Sequence, residues 1–437
     1  MKKIKPSTLP GFLELLPNEQ IQFDYIKEII KKNYEKYGFL PLDTPVLEKS
    51  EVLLAKGGGE TEKQVYKIEK GSTDMCMRFD LTVPLARYVV EHYSKLQFPF
   101  RRYQIGKVYR GEKAQRGRFR EFYQADIDII GNNSLSILND AEIPSIIYSI
   151  FTELNIGEFQ IMLNNRRLLN GYFNGLGIED PKYVLRSIDK LKKIGKAGVN
   201  EELKRQNIND EKLQKINELI EITGTNDEIL KSLDKLESDS EEFKTGLKEL
   251  KDVIKYIRLF GVDDKNIQID LSITRGLDYY TGTVYETFLT EHPEIGSICS
   301  GGRYDNLASN YTDMQLPGVG ISIGLSRLYY QLKAANLLKD YKKSLSEVII
   351  LPMEGLIDYA IILSEKLRKQ SINTLCYTEI KHKMGKKFKY ADELNIPYAI
   401  VIGEDEIEQE LYSLKDMQTG TQQKMSLEEI VKTIKSI

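Results

Sequence analysis

Arg110, Glu112, Arg118 and Phe122 fall around one predicted turn, in YRGEKAQRGRFREFYQ. A guanidinium presents fixed, forked donors, so two arginines at a hairpin suit a polyphosphate. The strand that follows, REFYQADIDII, alternates. Tyr123, Ala125, Ile127 and Ile129 face one way, and Arg120, Gln124, Asp126 and Asp128 face the other. Residues 77–83 alternate too, with Arg78, Asp80 and Thr82 on one face and Phe79, Leu81 and Val83 on the other. Asp80 and Thr82 form a carboxylate–hydroxyl pair able to hold a ligand ammonium. One face of an antiparallel strand also commonly meets water. On these residues alone, a phosphate-ligand site and a solvated sheet face stay equally open.

A further segment, TRGLDYYTGTVYE, sets Arg275 and the Tyr279–Tyr280 pair beside a glycine on a strand. Tyr packs flat and carries one hydrogen-bonding group, which serves a ligand pocket or a sheet edge. The run GVGISIG at 318–324 is not G-x-G-x-x-G and does not open a βαβ unit, so it reads as close packing. GGGE at 57–60 lacks the Gly-Lys-Ser or Gly-Lys-Thr of a P-loop and reads as a flexible loop.

These residues need elements to hold them. A helix is expected over 17–37, ending near Gly38. GFLPLDTPVLE follows as a strand-like piece, whose Pro41 and Pro45 suit an edge or an irregularity. Pro84 suits the first turn of a helix reaching His92. Two strands within 100–131 flank the loop GEKAQRGRF, and a helix over 138–153 leads to a strand at IMLNN. Residues 180–260 turn Lys-, Glu-, Asp- and Leu-rich with helical spacing, which reads as a helical insertion. Strand character returns over 266–289, and 298–330 hold a Gly-rich turn and then a strand running into a helix. Composition shifts again near Lys342. Beyond it strands and helices alternate, predicting a small α/β domain over 345–437 after an α+β domain over 1–340.

Composition narrows the function. The 437-residue chain carries a formal charge of −3, which argues against holding nucleic acid by bulk positive charge and leaves room for a local basic patch. Cys76, Cys299 and Cys376 lie far apart, with no zinc-type spacing and no disulfide framework, which fits a reducing, cytoplasmic compartment. His92, His292 and His382 are the chain's histidines, so a His-ligated metal site or a serine-hydrolase triad has little raw material. No metal-ligating set is expected. The N-terminal lysines precede no apolar h-region, and no stretch is long and apolar enough to span a membrane.

Together the segments resemble the class II aminoacyl-tRNA synthetases, and within them the histidyl-tRNA synthetase family. GFLPLDTPVLE looks like motif 1, the dimer-interface element, with Pro45 as its proline. YRGEKAQRGRFREFYQ looks like motif 2, with Arg110 and Glu112 matching Arg-x-Glu, and Arg118 and Phe122 matching Arg-x-x-x-Phe. GVGISIGLSRL looks like motif 3, with Arg327 as its arginine. RGLDYYTGTVYE and SGGRYDNL resemble the two signature segments of the histidine enzymes. RFDLTVPLARY and EFYQADIDIIG match the variant with Asp at both carboxylate positions, Asp80 and Asp128. Two departures stand out: LPGFLELLP lacks the customary Arg-Asp pair, and Ser326 stands where an acidic residue is common.

The resemblance implies a six-stranded antiparallel sheet flanked by helices and a C-terminal α/β anticodon-binding domain. It implies two steps: L-histidine and ATP give histidyl adenylate and pyrophosphate, and tRNA(His) then takes the histidine. Arg110 would contact the α-phosphate; Arg118 and Arg327 the β- and γ-phosphates. Phe122 and Arg327 would sandwich adenine, Glu112 would bind its amino group, and Mg²⁺ would bridge the phosphates. Asp80, Leu81 and Thr82 would surround the substrate ammonium, with Gln124 near that end. Asp128, Tyr279 and Tyr280 would read the imidazole. Arg275 would bridge the histidine carboxylate and the α-phosphate and, with Arg110, carry the catalysis. The five lysines within residues 381–389 would meet tRNA backbone or simply solvent, and Gln115 and Arg116 are candidates for the extra 5′ guanosine. A homodimer is implied by motif 1. The alternative is a non-aminoacylating paralogue such as the regulatory subunit of ATP phosphoribosyltransferase, which lacks the arginine set and the C-terminal domain.

Overall fold

A computed structural model describes the chain except residues 1–2, 56–59, 114–116, 237, 275–279, 339–340 and 437, and the side chains of 60 and 61. The three glycines of GGGE, Gln115, Arg116, Arg275 and Tyr279 therefore lie outside the described residues, while Glu60 opens the helix Glu60–Gln64. Two compact units emerge: residues 1–14 with 26–337, and residues 15–25 with 338–437.

The first unit is organised by an eight-stranded sheet. Its spatial order is Leu40–Pro41, Phe100–Tyr109, Glu121–Ile130, Gly318–Ile323, Cys299–Tyr304, Thr283–Leu289, Phe159–Asn165 and Ile267–Ile269. The six inner strands pair antiparallel. The two outermost, Leu40–Pro41 and Ile267–Ile269, join in parallel. The antiparallel six are as expected, and the parallel edges are additions to them. Pro41 sits in the edge strand, where a missing N–H breaks no inner ladder.

Alternation along Glu121–Ile130 sorts its side chains as the sequence implied. Ala125, Ile127 and Ile129 have no exposed surface, and the Tyr34 hydroxyl donates to the Ala125 carbonyl at 3.0 Å. Register sets Asp128 between Arg102 and Gly320, and Asp126 between Gln104 and Ser322. The helices Pro17–Lys36 and Leu138–Leu154 match expectation. Five helices between Pro181 and Leu259 form the expected insertion.

Two strand expectations need correcting. Residues 77–83 are not one strand: Thr73–Met77 ends at the first of them and a helix spans Thr82–Glu91. The Asp80 carboxylate accepts the Val83 N–H at 3.0 Å, a local bond that turns the chain out of the extended state. Over 266–289 the extension is interrupted. Asp270 Oδ1 accepts the Ser272 N–H at 2.9 Å and its hydroxyl at 2.5 Å, a side-chain turn that ends the Ile267–Ile269 strand.

The second unit is α/β. Its sheet runs Thr374–Cys376, Val348–Pro352, Tyr398–Ile402, Tyr412–Asp416 and Gln422–Met425, parallel across the first three and antiparallel beyond. Two apolar clusters, one around Val348 and Ile400 and one around Ile349 and Ala399, take the alternate side chains of its central strands. Lys387 departs from the solvated-lysine reading. It is buried, and its ammonium donates to the Pro352 carbonyl at 2.6 Å and that of Ile380 at 3.3 Å. Burial pushes its pKa down.

Candidate active site

A cavity of about 470 Å³ opens over the inner strands of the first unit. Arg110, Glu112, Arg118, Phe122 and Arg327 line it, and so do Asp80, Thr82, Gln124, Asp128 and Tyr280. The hairpin Phe100–Tyr109 to Glu121–Ile130 supplies one wall and part of the floor, and the turn into the Thr82–Glu91 helix delivers Asp80. Leu81 is not in the lining: its side chain is buried and its carbonyl accepts from Arg102 Nη2 at 3.2 Å.

One end is cationic and aromatic. The Arg110 guanidinium stacks over the Phe79 ring at 4.4 Å and the Phe122 ring at 5.1 Å, and its Nε donates to the Phe79 carbonyl at 3.2 Å. This sandwich holds the planar group in a fixed plane. Arg118 lies 3.7 Å from Glu112 and is more than half exposed, so the pair is loose and the arginine is available to an incoming anion. Arg327 Nη2 donates to the Ile295 carbonyl at 3.0 Å. Ser326, the departure noted in motif 3, accepts the Tyr123 N–H on its hydroxyl at 2.9 Å and so ties the helix start to the hairpin strand.

The other end is acidic. Asp80, Asp126 and Asp128 are all buried in the cavity floor. Asp128 Oδ2 lies 2.6 Å from Arg102 Nη2, and its Oδ1 accepts the Tyr304 hydroxyl at 2.6 Å. Burial raises the pKa of Asp80 and of Asp128, with the arginines opposing it. Burial lifts Asp126 as well, to about 7, against the pull of Arg102. Three carboxylates around one fully buried guanidinium leave a floor that favours a cationic guest.

The Gly-rich run serves this floor. A Cβ at Gly320 would overlap the Asp128 carboxylate, and one at Gly318 would overlap the Tyr304 ring. GVGISIG is thus close packing against a buried acid, in line with its sequence reading, and the nucleotide fingerprint is not needed.

The sequence reading put Asp126 on the polar face without assigning it to the site. It missed Arg102, Tyr304 and Ser322 as well. Period-two alternation already aligned Asp126 with Gln124 and Asp128, so that signal was available. Arg102 and Ser322 become visible only through register.

With an anion-receiving end and a cation-receiving floor in one cavity, likeness to known proteins decides the family. The histidyl-tRNA synthetase model matches residues 11–328, and an anticodon binding domain model matches 347–437. The chain belongs to the histidyl-tRNA synthetase family. It is 59% identical to the histidine--tRNA ligase of Clostridium tetani, with all of both chains covered. It is 52% identical to that of Finegoldia magna, covering 99% of this chain and 100% of the other. The crystal structure of histidyl-tRNA synthetase from Nostoc sp. PCC 7120 superposes with a TM-score of 0.93 at 42% identity, over 99% of this chain and 100% of that one. As in that family, the fold is of class II type, with a separate C-terminal sheet domain.

Proposed function

We propose that this histidyl-tRNA synthetase family member activates L-histidine with ATP in the cavity of the first unit and transfers it to tRNA(His). The observation that carries the reading is the division of one cavity into an arginine end and an acidic floor. Family membership supports ATP, histidine and tRNA as its substrates.

In the first step a histidine carboxylate oxygen attacks the α-phosphorus, the bond to the β-phosphate bridge breaks, and pyrophosphate leaves. Such a reaction is mostly positioning and charge stabilisation. Arg110, held in its aromatic sandwich, would meet the α-phosphate. Arg118 and Arg327 would take the outer phosphates, with Glu112 and Phe122 at adenine. Asp80, Thr82 and Gln124 would take the ammonium, and Asp128 with Tyr280 the imidazole. Arg275 and Tyr279 carry their roles by resemblance. In the second step the 3′-terminal ribose hydroxyl attacks the acyl carbonyl, and AMP leaves. Rejection of apolar isosteres follows from the cost of leaving the floor's polar groups unmatched.

Mg²⁺ fits as a companion of the triphosphate. Among the described residues no three acidic, His or Cys side chains are placed to hold a metal ion between them, and this ion keeps phosphate and water oxygens around it. Glu286 in the lining can add one carboxylate oxygen. The ion would neutralise charge on the phosphates while the arginines orient them.

A homodimer, a cytoplasmic setting and the domain division 1–340 and 345–437 complete the reading. Exposure of Leu40, Val46 and Leu47 in the motif 1 segment supports the dimer. No described helix is long and apolar enough to cross a membrane. A regulatory, non-aminoacylating role is disfavoured by the arginines retained in the lining. The test is charging of a histidine tRNA transcript with labelled histidine. ATP-dependent charging supports the reading, and its absence in well-folded protein overturns it.

A further inference from the structure

The strand Thr283–Leu289 lies between two antiparallel neighbours, Phe159–Asn165 and Cys299–Tyr304. Just ahead of it stands Tyr280, which lines the cavity. A chain that has left its ladder usually gains freedom. Here both neighbours follow it out. On one side the Arg166 N–H donates to the Gly282 carbonyl at 2.8 Å, and Arg166 Nη1 reaches on to the Tyr280 carbonyl at 3.2 Å. On the other, the Thr281 N–H donates to the Arg303 carbonyl at 2.8 Å, and the Thr281 hydroxyl donates to Asp305 Oδ2 at 2.6 Å. The Arg303 carbonyl, 3.5 Å from that hydroxyl, is a second acceptor, and the nearer, charged oxygen takes the proton.

Neither outer contact is loose. Arg166 is buried, so its bond to the Tyr280 carbonyl does not compete with bulk water. Asp305 has Arg167 Nη2 3.5 Å from the same oxygen and Arg303 Nη1 3.8 Å from the other, two cations that keep it an acceptor. The ring has its own seat. A Cβ on Gly302 would come within 3.0 Å of Tyr280 Cδ1, so the ring lies against bare backbone. A ring seated on a glycine, carried by a backbone held from both sides, has little freedom in where its hydroxyl falls.

We propose that Arg166 and Asp305 are positioning residues: they hold residues 280–282 from opposite sides, so that Tyr280 presents its hydroxyl to the imidazole of the substrate at one fixed place. This rests on the reading that Tyr280 meets the imidazole. A polar group that must match a ring nitrogen selects only while it stays put, since a bond that can form anywhere discriminates little. Arg110, Arg118 and Phe122 belong to a different hairpin, Phe100–Tyr109 with Glu121–Ile130, so the clamp bears on histidine and not on ATP. Neither Arg166 nor Asp305 lines the cavity; both act through the backbone and Thr281.

The experiment is histidine-dependent ATP–pyrophosphate exchange on the full chain, with KM for histidine and for ATP measured separately. The proteins are wild type, Thr281→Val, Thr281→Ser, Arg166→Met, Tyr280→Phe and the double variant Tyr280→Phe/Thr281→Val. Thr281→Val, which keeps the shape and loses the hydroxyl, and Arg166→Met are each expected to raise the histidine KM about tenfold, as for one lost hydrogen bond to a charged group, with the ATP KM within about twofold. Thr281→Ser keeps the hydroxyl and is expected to keep the wild-type histidine KM. The double variant is expected to match Tyr280→Phe alone, because the clamp has nothing left to place once the tyrosine hydroxyl is gone. Unchanged histidine KM in Thr281→Val or in Arg166→Met overturns the two-sided hold, and where Arg166→Met fails to fold the Thr281 variants decide. An equal rise for both substrates also overturns it. So does a double variant whose loss is the product of the singles, since Thr281 would then act independently of Tyr280. Absence of exchange by wild type is a different failure, that of the histidine-activating reading itself.

Discussion

Arg102, with no exposed surface, places its Nη2 2.6 Å from Asp128 Oδ2, across the register pair that joins two neighbouring strands. The carboxylate expected to read the imidazole is therefore held from below by a buried guanidinium and from the side by the Tyr304 hydroxyl. Such a pair is a weak source of net stability, but breaking it leaves a buried charge alone. Arg102→Met is expected to lower unfolding free energy by about 3–5 kcal/mol, read from denaturant titration. A change of a few tenths would show that Asp128 does not depend on Arg102.

Asp126 has a pH signature of its own. Its folded pKa of about 7 lies above the ordinary carboxylate value. Between pH 4 and pH 7 the folded state then holds a proton that the unfolded state has lost. Stability therefore falls as pH rises through that window, and the cost is constant above it. Asp126→Asn removes the slope. Its stability advantage is expected to grow from pH 4 to pH 7, reaching about 4 kcal/mol at most, and then level off. Thermal or denaturant unfolding across that range checks it. A variant less stable than wild type at pH 8 would contradict it.

Gly320→Ala pushes a methyl into the Asp128 carboxylate. The carboxylate must move, and its bonds to Arg102 and Tyr304 with it. Histidine KM should rise at least tenfold, with ATP affinity changing less. Equal losses for both substrates would point to a general distortion of the sheet.

Arg275→Ala bears on the step itself. By resemblance Arg275 bridges the histidine carboxylate and the α-phosphate, a contact that counts most as charge develops. The variant should lose several orders of magnitude in adenylation rate, measured by single-turnover formation of the adenylate, while histidine binding changes less. Near-normal turnover would reassign that role.

Much of this was legible in the residues. Period-two alternation put Gln124, Asp126 and Asp128 on one face, and the face is the cavity floor. Helical spacing found the insertion, and the strand–helix rhythm found the C-terminal domain. Local side-chain bonds hid the breaks at Asp80 and Asp270, because alternation by itself cannot see an aspartate that captures a backbone N–H ahead of it. The support beneath the site was also hidden. Arg102 is distant in sequence from Asp128 and meets it only once the hairpin register is fixed, and Ser322 meets Asp126 and Gln124 across another pairing. Lys387 sits in a run that reads as solvated, and its burial depends on carbonyls of Pro352 and Ile380 that the run does not contain.

The most direct test of the central claim is ATP–pyrophosphate exchange by the full chain with Mg²⁺, run separately with each of the twenty amino acids. Exchange is expected with histidine and at background with the rest, because an acidic floor paired to an arginine wall should admit a substrate that matches its buried polar groups. No exchange with histidine, or exchange driven by a different amino acid, would contradict it.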